Sequence, residues 1–373
     1  MKSLTKKGIE KLIPYPPGKP IEELEREQGI TGSIKLASNE NPLGPSPLAV
    51  QAILNAVKKI NRYPDGSCYY LKEKLSDLFG FPQNRIIIGN GSNELIELII
   101  RTYLTVDAEE EVIQAFPTFL VYEKMVTSAG VETISVPLKN FRIDLEGMIA
   151  AITHKTKILF INNPNNPTGT ALSKDEVVNF LKSIPRDIII VLDEAYIEFV
   201  SDQDVANGLE LLGDYPRLIV LRTFSKLYGL AGLRIGYGFA SEEVIDYMNR
   251  VRQPFNANAL AQAAASAALE DTEFVSATLK LVRDGLSYLF DQLDKVGLEY
   301  QPTQTNFFII KVPLGGKKTY ELMLREGVIV RSMDSYGLGA YIRINVGLPE
   351  ENERFIKTLK KVLNSGILLR DYL

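Results

Sequence analysis

The middle of the chain alternates short apolar runs with longer amphipathic stretches, and this pattern limits the folds that it can adopt. Several of the runs are continuously apolar, which is typical of strands buried on both faces of a sheet. Helical periodicity lies between them, for example from Lys174 to Lys182. Alternation of this kind predicts an α/β fold with a largely parallel sheet. Strands are predicted at residues 85–88, 111–114, 157–161, 188–192 and 218–221.

The pattern changes near residues 253–255, and a chain of 373 residues is too long for one ordinary core. An alanine-rich helix, a long helix and three more apolar runs follow, which predicts a smaller α/β domain. The first three dozen residues are rich in proline and are typical of an arm that packs on another part of the molecule. The later runs are 306–310, 328–330 and 341–346, and the expected divisions are an arm at 1–38 packing with the small domain, a large domain at 39–255 and the small domain at 256–373.

Charge and hydropathy exclude several classes of partner. The net charge of −4 argues against a nucleic-acid-binding protein. No run of about 18 apolar residues is present, so no membrane span is expected. The basic first residues lead into no apolar core of signal-peptide length. We therefore expect a cytoplasmic protein without nucleic-acid or membrane partners.

Cysteine and histidine each occur once, as Cys68 and His154. A single cysteine allows no internal disulfide and no cysteine-rich metal site. His154 lies in a polar segment before an apolar run and is expected in an exposed loop, which argues against a histidine zinc site and a Ser-His-Asp triad. We expect no metal. If the chain is an enzyme, a cofactor supplies the difficult chemistry.

Lys226 has the surroundings that a reactive amine requires. Ser225 precedes it, a glycine-interrupted apolar stretch follows, and Arg234 lies eight positions on. Partial shelter from water lowers the pKa of a lysine, so that the free amine can form a Schiff base. An arginine close in space suits a phosphate dianion. The segment indicates a phosphorylated carbonyl cofactor, although a loop lysine beside a structural arginine also fits.

A glycine-rich turn at 89–91 runs from a predicted strand into a helix that begins near Ser92. Free backbone N–H groups and the helix dipole make such a turn suitable for an anion, and Ser92 and Asn93 can add donors. The turn has neither the GxGxxG pattern of dinucleotide binding nor the GK[ST] pattern of a P-loop. An ordinary capped turn is the alternative.

Two further polar segments follow buried strands. The segment 162–169 is dense in asparagine and proline, and Asp193 follows the next strand. Ligands of open α/β sheets bind at the carboxyl ends of strands. A half-buried carboxylate needs a positive partner, and a protonated pyridine nitrogen would be one. A structural turn and a helix N-cap are the alternatives.

Together these segments resemble the fold-type I pyridoxal-phosphate enzymes, specifically the class I/II aminotransferases. The motifs 166–169, 193–196 and 225–226 occur in the order and approximate spacing of that family. Within that family, the chain most resembles the subgroup of the histidinol-phosphate aminotransferases. The marks of this subgroup are the segments 15–20, 39–45, 62–66, 196–199, 222–226 and 232–234.

The resemblance implies a large domain with a mostly parallel, seven-stranded sheet and pyridoxal phosphate as cofactor. Lys226 would hold the cofactor covalently and later move a proton between the substrate and the cofactor. Asp193 would pair with the ring nitrogen, and Tyr196 and Asn166 with the phenolic oxygen. The cofactor phosphate would be held by Ser92, Asn93, Ser225 and Arg234, together with Tyr63 from the neighbouring subunit of a homodimer.

Further positions match residues that contact the ring or the substrate. Phe119 would stack on the pyridine, where many relatives have tyrosine. Arg343 would bind the α-carboxylate of the substrate, Arg331 its phosphate, and Tyr15 would cover it. The family also often has a cis bond at the position of Pro167, which is expected here.

The reaction implied is amino-group transfer between histidinol phosphate and 2-oxoglutarate, which belongs to histidine biosynthesis. An aromatic amino-acid aminotransferase and a threonine-phosphate decarboxylase share this fold and are alternatives. A regulator that has lost catalysis would need a DNA-binding module and a basic patch, and the sequence has neither. A nicotinamide dehydrogenase is disfavoured because the turn at 89–91 lacks the dinucleotide fingerprint.

Overall fold

The structure is a computed structural model, and it describes residues 5, 8–14, 18–105 and 109–370. Strands and helices alternate through the first two thirds of the chain, as predicted. The α-helices are α1 Ile21–Gln28, α2 Pro47–Ala56, α3 Tyr69–Phe79, α4 Ser92–Tyr103, α5 Val121–Ser128, α6 Leu145–Ala150, α7 Lys174–Ser183, α8 Glu242–Val251, α9 Ala259–Ala268, α10 Thr272–Lys295, α11 Gly316–Arg325 and α12 Pro349–Arg370. The strands are β1 Ile34–Lys35, β2 Ile86–Gly89, β3 Glu111–Phe116, β4 Glu132–Pro137, β5 Thr156–Asn162, β6 Ile189–Asp193, β7 Leu218–Thr223, β8 Gly236–Phe239, β9 Phe307–Lys311, β10 Val328–Ile329, β11 Arg331–Ser332 and β12 Tyr341–Asn345.

A seven-stranded sheet with the order β2-β8-β7-β6-β5-β3-β4 forms the centre of the large α/β unit. Strands β4, β3, β5, β6 and β7 are parallel, and β8 is antiparallel to both of its neighbours. The predicted α/β fold with a mostly parallel sheet is therefore confirmed. The register pairs Asn162 with Asp193 and Asp193 with Leu221, so the carboxyl ends of β5, β6 and β7 meet at one edge.

Alternating side chains of the central strands enter two separate cores because successive residues of a strand face opposite sides. On β6, Val191 packs in the core under α4, α5 and α8. Its neighbours Ile190 and Leu192 pack in the core on the opposite face, together with residues of α3, α7 and α9. Both faces of the sheet are covered, which accounts for the continuously apolar strands.

Side-chain caps define where several helices begin. Ser173 and Glu176 form a capping box at the start of α7, which confirms the helix predicted from Lys174. Asp144, Ser241 and Asn258 cap α6, α8 and α9 in the same manner, each accepting a hydrogen bond from a backbone N–H of the first turn. A cap of this type stabilises a helix by about 1 kcal/mol.

A second, antiparallel sheet has the order β11-β12-β9, and a short parallel pair joins β1 to β10. The strand predicted at 328–330 is found as β10, which ends at Ile329 and pairs with β1, and the separate strand β11 begins at Arg331 and pairs with β12. Strands β4 and β8 were not predicted. The first is half-exposed and polar, and the second contains two glycines, so neither has the apolar pattern of its neighbours.

The expected cis bond before Pro167 is wrong. Among the described residues, the cis peptide bonds precede Pro117 and Pro164. The polypeptide reverses direction at Pro164, where the N–H of Asn165 binds the carbonyl of Thr170, and the bond before Pro167 is trans. None of the helices in the described ranges is long and apolar enough to span a bilayer.

Candidate active site

A cavity of about 290 Å³ opens at the edge where β5, β6 and β7 end. It brings together residues that are far apart in the chain, from the segment at 37–40 to β12. Eleven of the predicted site residues line it. They are Ser92, Asn93, Phe119, Asn166, Asp193, Tyr196, Ser225, Lys226, Arg234, Arg331 and Arg343.

Lys226 projects its amine into this cavity from the loop after β7. Phe224, two residues before it, is fully buried and fixes the loop, and the amine donates a hydrogen bond of 3.2 Å to the carbonyl of Ser38. Burial, with a smaller contribution from the positive charge of Arg343, lowers the pKa of Lys226 to about 8. The amine is therefore prepared to react with a carbonyl group at moderate pH.

Asp193 ends β6 at the floor of the cavity and is 2% exposed. Its Oδ1 accepts a hydrogen bond of 3.1 Å from the N–H of Ala195, and its Oδ2 accepts one of 2.6 Å from the hydroxyl of Tyr122. Burial raises the pKa of Asp193 to about 6. Since both donors are neutral, a cationic ring nitrogen would supply the positive partner that a buried carboxylate requires.

The N-terminus of α4 and Arg234 form one wall. Gly91 precedes the helix with φ of 74°, and a Cβ at that position would lie 2.4 Å from Nη2 of Arg234. Nη1 of Arg234 lies 3.4 Å from the hydroxyl of Ser225. A guanidinium, a hydroxyl and free N–H groups at a helix start fit a phosphate dianion. Residues Ser92 and Asn93 are the first two of the helix.

The ring of Tyr196 lies beside Lys226, whose amine is 5.7 Å from the ring centre. The hydroxyl oxygen accepts hydrogen bonds from the side-chain amides of Asn39, at 2.9 Å, and Asn166, at 3.4 Å. Because two donors occupy the oxygen, the phenol has its own proton to donate to a ligand oxygen. Asn39 had no role in the sequence prediction beyond its place in a motif.

Arg331 and Arg343 lie directly opposite each other on the antiparallel strands β11 and β12. Side chains at opposed positions of such strands extend from the same face. Arg343 is 5% exposed, and its Nη2 donates to the carbonyl of Ala37 at 3.0 Å. Within the described residues, its buried Nε has no partner, which leaves a donor for an anionic ligand.

One predicted site residue that the structure describes is not part of this cavity. Tyr63 is 83% exposed and stacks on Phe255 with ring centres 4.7 Å apart. Tyr15 lies outside the described residues. His154 is exposed, as predicted. Conversely, Tyr122 contacts Asp193 but was not predicted, since nothing in its helix distinguishes it from an ordinary core tyrosine.

The arrangement fits pyridoxal phosphate. A nucleophilic amine, a buried carboxylate, an anion-binding wall and the half-buried ring of Phe119 surround one space of suitable size. A phosphorylated pyridine aldehyde has the complementary groups, namely a carbonyl, a basic ring nitrogen, a dianion and a flat face. Arg331 and Arg343 line the same cavity and suit an anionic substrate.

Comparison with known proteins agrees with this chemistry. Residues 31–359 match the family described as aminotransferase class I and II. The histidinol-phosphate aminotransferase 1 of Nitrosococcus oceani is 48% identical, covering 95% of this chain and 96% of that protein. The histidinol-phosphate aminotransferase of Moorella thermoacetica is 45% identical, and the match covers 96% of this chain and 92% of that protein. The chain therefore belongs to the aminotransferase class I and II family.

A solved structure is also similar over nearly the whole chain. The crystal structure of histidinol-phosphate aminotransferase from Sinorhizobium meliloti in complex with pyridoxal-5′-phosphate matches with a TM-score of 0.88 and 29% identity. The match covers 98% of this chain and 99% of that one. The family resemblance predicted from the motifs is thus confirmed.

Proposed function

We propose that the protein is a pyridoxal-phosphate-dependent histidinol-phosphate aminotransferase of histidine biosynthesis. It exchanges an amino group between histidinol phosphate and 2-oxoglutarate, giving imidazole acetol phosphate and glutamate. The observation that supports this most directly is the presence of Lys226 and Asp193 in one cavity, in a chain 45–48% identical to proteins of that name. The bound cofactor supplies the carbonyl that accepts the amine and the ring that withdraws electrons from the substrate.

The residues around the cavity hold and orient the cofactor. Ser92, Asn93, Ser225 and Arg234 would bind its phosphate, and Asp193 would keep its ring nitrogen protonated by placing a negative charge beside it. The hydroxyl of Tyr196 and the amide of Asn166 would bind its phenolic oxygen, and Phe119, which also lines the cavity, would cover one face.

Lys226 would have a second role once the substrate is bound. Its neutral amine would take the proton from the substrate α-carbon, and the resulting ammonium would then give that proton up to the cofactor. A base whose pKa lies near the working pH is suited to both halves of that transfer. The hydrogen bond to the carbonyl of Ser38 fixes the position of the amine within the cavity.

The two arginines account for substrate choice. Histidinol phosphate has a phosphate ester and no carboxylate, whereas glutamate has two carboxylates. Arg343 binds the α-carboxylate of glutamate through its fork of donors, and Arg331 binds the substrate phosphate. Tyr15 covers the bound substrate from the arm. The same two arginines therefore bind both substrates. The preference between glutamate and histidinol phosphate depends on how the differently shaped anionic groups fit this pair of cations.

Replacement of Lys226 by alanine tests the proposal. The variant should lose turnover, and borohydride reduction should no longer attach the cofactor to the protein, as judged by its mass. Lys280→Ala, an exposed lysine of α10, is the matched control and should behave as wild type. Retention of covalent cofactor in the Lys226 variant would contradict the mechanism.

The alternatives within this fold differ in the donor. An aromatic amino-acid aminotransferase and a threonine-phosphate decarboxylase are disfavoured because relatives at 45–48% identity are named histidinol-phosphate aminotransferases. A titration of the holoenzyme with histidinol phosphate and phenylalanine in parallel distinguishes the proposed enzyme from an aromatic amino-acid aminotransferase. If phenylalanine alone converts the cofactor to its amine form, the substrate assignment fails while the cofactor assignment stands.

A homodimer is also part of the proposal. Exposed apolar side chains concentrate in one stretch of the chain, and an uncovered patch of this kind indicates an interface. Tyr63 lies within it, where it could reach the cofactor phosphate of a partner. The exposed residues are Leu43, Leu48, Val50, Leu54, Val57, Ile60, Tyr63, Tyr69 and Tyr70, with Phe255 stacked on Tyr63.

Light scattering tests the dimer. We expect a mass of two chains for the wild type and a shift towards one chain for Leu54→Glu, which places a charge in the proposed interface. Tyr247→Glu, an exposed aromatic position on α8, is the control and should leave the mass unchanged. A wild-type mass of one chain at working concentration would exclude the dimer.

The division into an arm at 1–38, a large domain at 39–255 and a small domain at 256–373 is proposed as well. The pairing of β1 with β10 and the packing of Leu24 on Ile329 support an arm that docks on the small domain. Limited proteolysis should cut near these divisions first. We also place the enzyme in the cytoplasm, in line with its small phosphorylated substrates, and cell fractionation tests that.

A further inference from the structure

Tyr122 does not line the cavity, yet its hydroxyl is fixed on the catalytic carboxylate. It donates a hydrogen bond of 2.6 Å to Oδ2 of Asp193, and its side chain is completely buried. We propose that Tyr122 is a positioning residue, which keeps Asp193 ionised and aimed at the ring nitrogen of the cofactor. The inference rests on the proposed function, because it requires a basic ring nitrogen beside Asp193.

The tyrosine ring has little freedom to move. It stacks on Phe160 of β5, with ring centres 4.6 Å apart and planes within 7° of parallel. Its edge meets the ring of Phe119 at 5.5 Å and 85°. Tyr122 is the second residue of α5. Its N–H binds the carbonyl of Phe119, so the turn before the helix is fixed to Tyr122. The hydroxyl is therefore held in place before any ligand arrives.

The hydrogen bond opposes the main force that would neutralise Asp193. Burial favours the protonated acid, whereas donors to the carboxylate favour the ionised form. One of the two donors is the backbone N–H of Ala195 and the other is Tyr122. The charged or titratable groups that also act electrostatically on this carboxylate are Lys226, Tyr196 and, from the opposite face of the sheet, Glu194. Of the two donors to the carboxylate, Tyr122 is the one that can be removed by deleting a single oxygen atom.

A purely structural role would predict a different result. Tyr122 also fills space between Phe119 and Phe160, and loss of the whole ring would disturb both. Tyr122→Phe keeps the ring and removes only the donor. Tyr237→Phe is the matched control, since Tyr237 is also fully buried but its hydroxyl has no hydrogen-bond partner among the described residues.

The experiment measures cofactor release from the diluted holoenzyme with two cofactors. One is pyridoxal phosphate, and the other is its carbocyclic analogue, in which a C–H replaces the ring nitrogen. For Tyr122→Phe we expect the dissociation constant of pyridoxal phosphate to rise about tenfold, the size of one hydrogen bond to a charged group. The constant for the analogue should stay within about twofold of wild type, because that ring gives Asp193 no cation to face. Tyr237→Phe should change neither.

An equal loss of both cofactors in Tyr122→Phe would overturn the inference and leave Tyr122 as a packing residue. So would a tenfold effect that persists when Asp193 is replaced by asparagine, since the hydroxyl must act through that carboxylate. If Tyr122→Phe gives no stable protein, we test Phe160→Leu, which loosens the ring and should weaken binding of pyridoxal phosphate more than of the analogue. Failure of the wild type to bind either cofactor would refute the proposed function itself.

Discussion

Arg222 and Glu194 form an ion pair on the face of the central sheet opposite Asp193. Nε and Nη2 of Arg222 donate to one carboxylate oxygen of Glu194 at 3.0 and 2.8 Å, and the N–H of Gly208 donates to the other. Glu194 directly follows Asp193, and Arg222 lies four residues before Lys226. The pair therefore ties the end of β6 to the end of β7 at the point where both reactive residues begin.

Loss of one partner should be costly because both are almost fully buried, with side-chain exposures of 6% and 0%. Glu194→Gln leaves the Arg222 charge without its counter-ion, and we expect the free energy of unfolding to fall by about 3 kcal/mol. Urea denaturation of the holoenzyme measures it. Asp284→Asn, which removes the exposed pair with Lys280, is the control and should give no measurable loss. Equal stability of the two variants would show that the buried pair is not needed.

This pair also shows where sequence reasoning ends. Lys226 and Asp193 were predictable because each follows an apolar run, and parallel strands bring their ends to one edge. The ion pair of Glu194 and Arg222 beside them was not predictable from the sequence. Glu194 and Arg222 meet only because β6 and β7 are neighbours and both side chains face the same side, and no local pattern specifies which strands are neighbours.

The same limit applies to Tyr122 and Asn39. Each donates a hydrogen bond to a catalytic side chain that lies far away in the sequence. The separation is 71 residues for Tyr122 and Asp193 and 157 residues for Asn39 and Tyr196. Helix periodicity assigns Tyr122 to the core and says nothing of its hydroxyl. By contrast, the glycine-rich turn and Arg234 were found because phosphate binding needs local features that a short segment displays.

The rate at which the protein captures pyridoxal phosphate covalently should depend on the lowered pKa of Lys226. With a pKa of about 8, the neutral fraction of this amine should be about a tenth at pH 7 and should approach unity above pH 9. Stopped-flow absorbance of cofactor-depleted protein mixed with pyridoxal phosphate measures the capture rate. Pyridoxamine phosphate, which has no carbonyl to condense, reports the pH dependence of binding alone. A capture rate that keeps rising steeply to pH 10 would mean that the amine is not sheltered.

Asp193 should destabilise the protein when no cofactor is bound. Its pKa is raised from the ordinary 3.8 to about 6, so the folded state holds the proton more tightly than the unfolded chain does. The stability of the cofactor-free wild type should therefore fall as the pH rises between about 4 and about 6. Asp193→Asn removes the cost of ionising a buried carboxylate, and the variant should be up to about 3 kcal/mol more stable at pH 7. Unfolding by urea at pH 7 and at pH 4 measures the difference, which should shrink to about 0.5 kcal/mol at the lower pH.

The same substitution should have the opposite effect on the holoenzyme. Asparagine cannot supply the negative charge beside the ring nitrogen, so cofactor release should be faster even though the empty protein is more stable. A variant that is less stable than wild type at pH 7 in both forms would show that the carboxylate contributes to folding rather than to binding.

Gly91 should be required for binding of the cofactor phosphate and not for folding. A Cβ there would lie 2.4 Å from Nη2 of Arg234, and the residue has φ of 74°, so Gly91→Ala must displace the guanidinium and strain the turn before α4. We expect the variant to bind pyridoxal phosphate at least about tenfold more weakly, as for the loss of one charge-assisted hydrogen bond, while pyridoxal, which has no phosphate, is bound as by wild type. Fluorescence titration of cofactor-depleted protein measures both constants. Gly213→Ala is the control, because a Cβ at that exposed position would meet nothing within 4 Å. Equal weakening of the two ligands would mean that this wall of the cavity does not hold the phosphate.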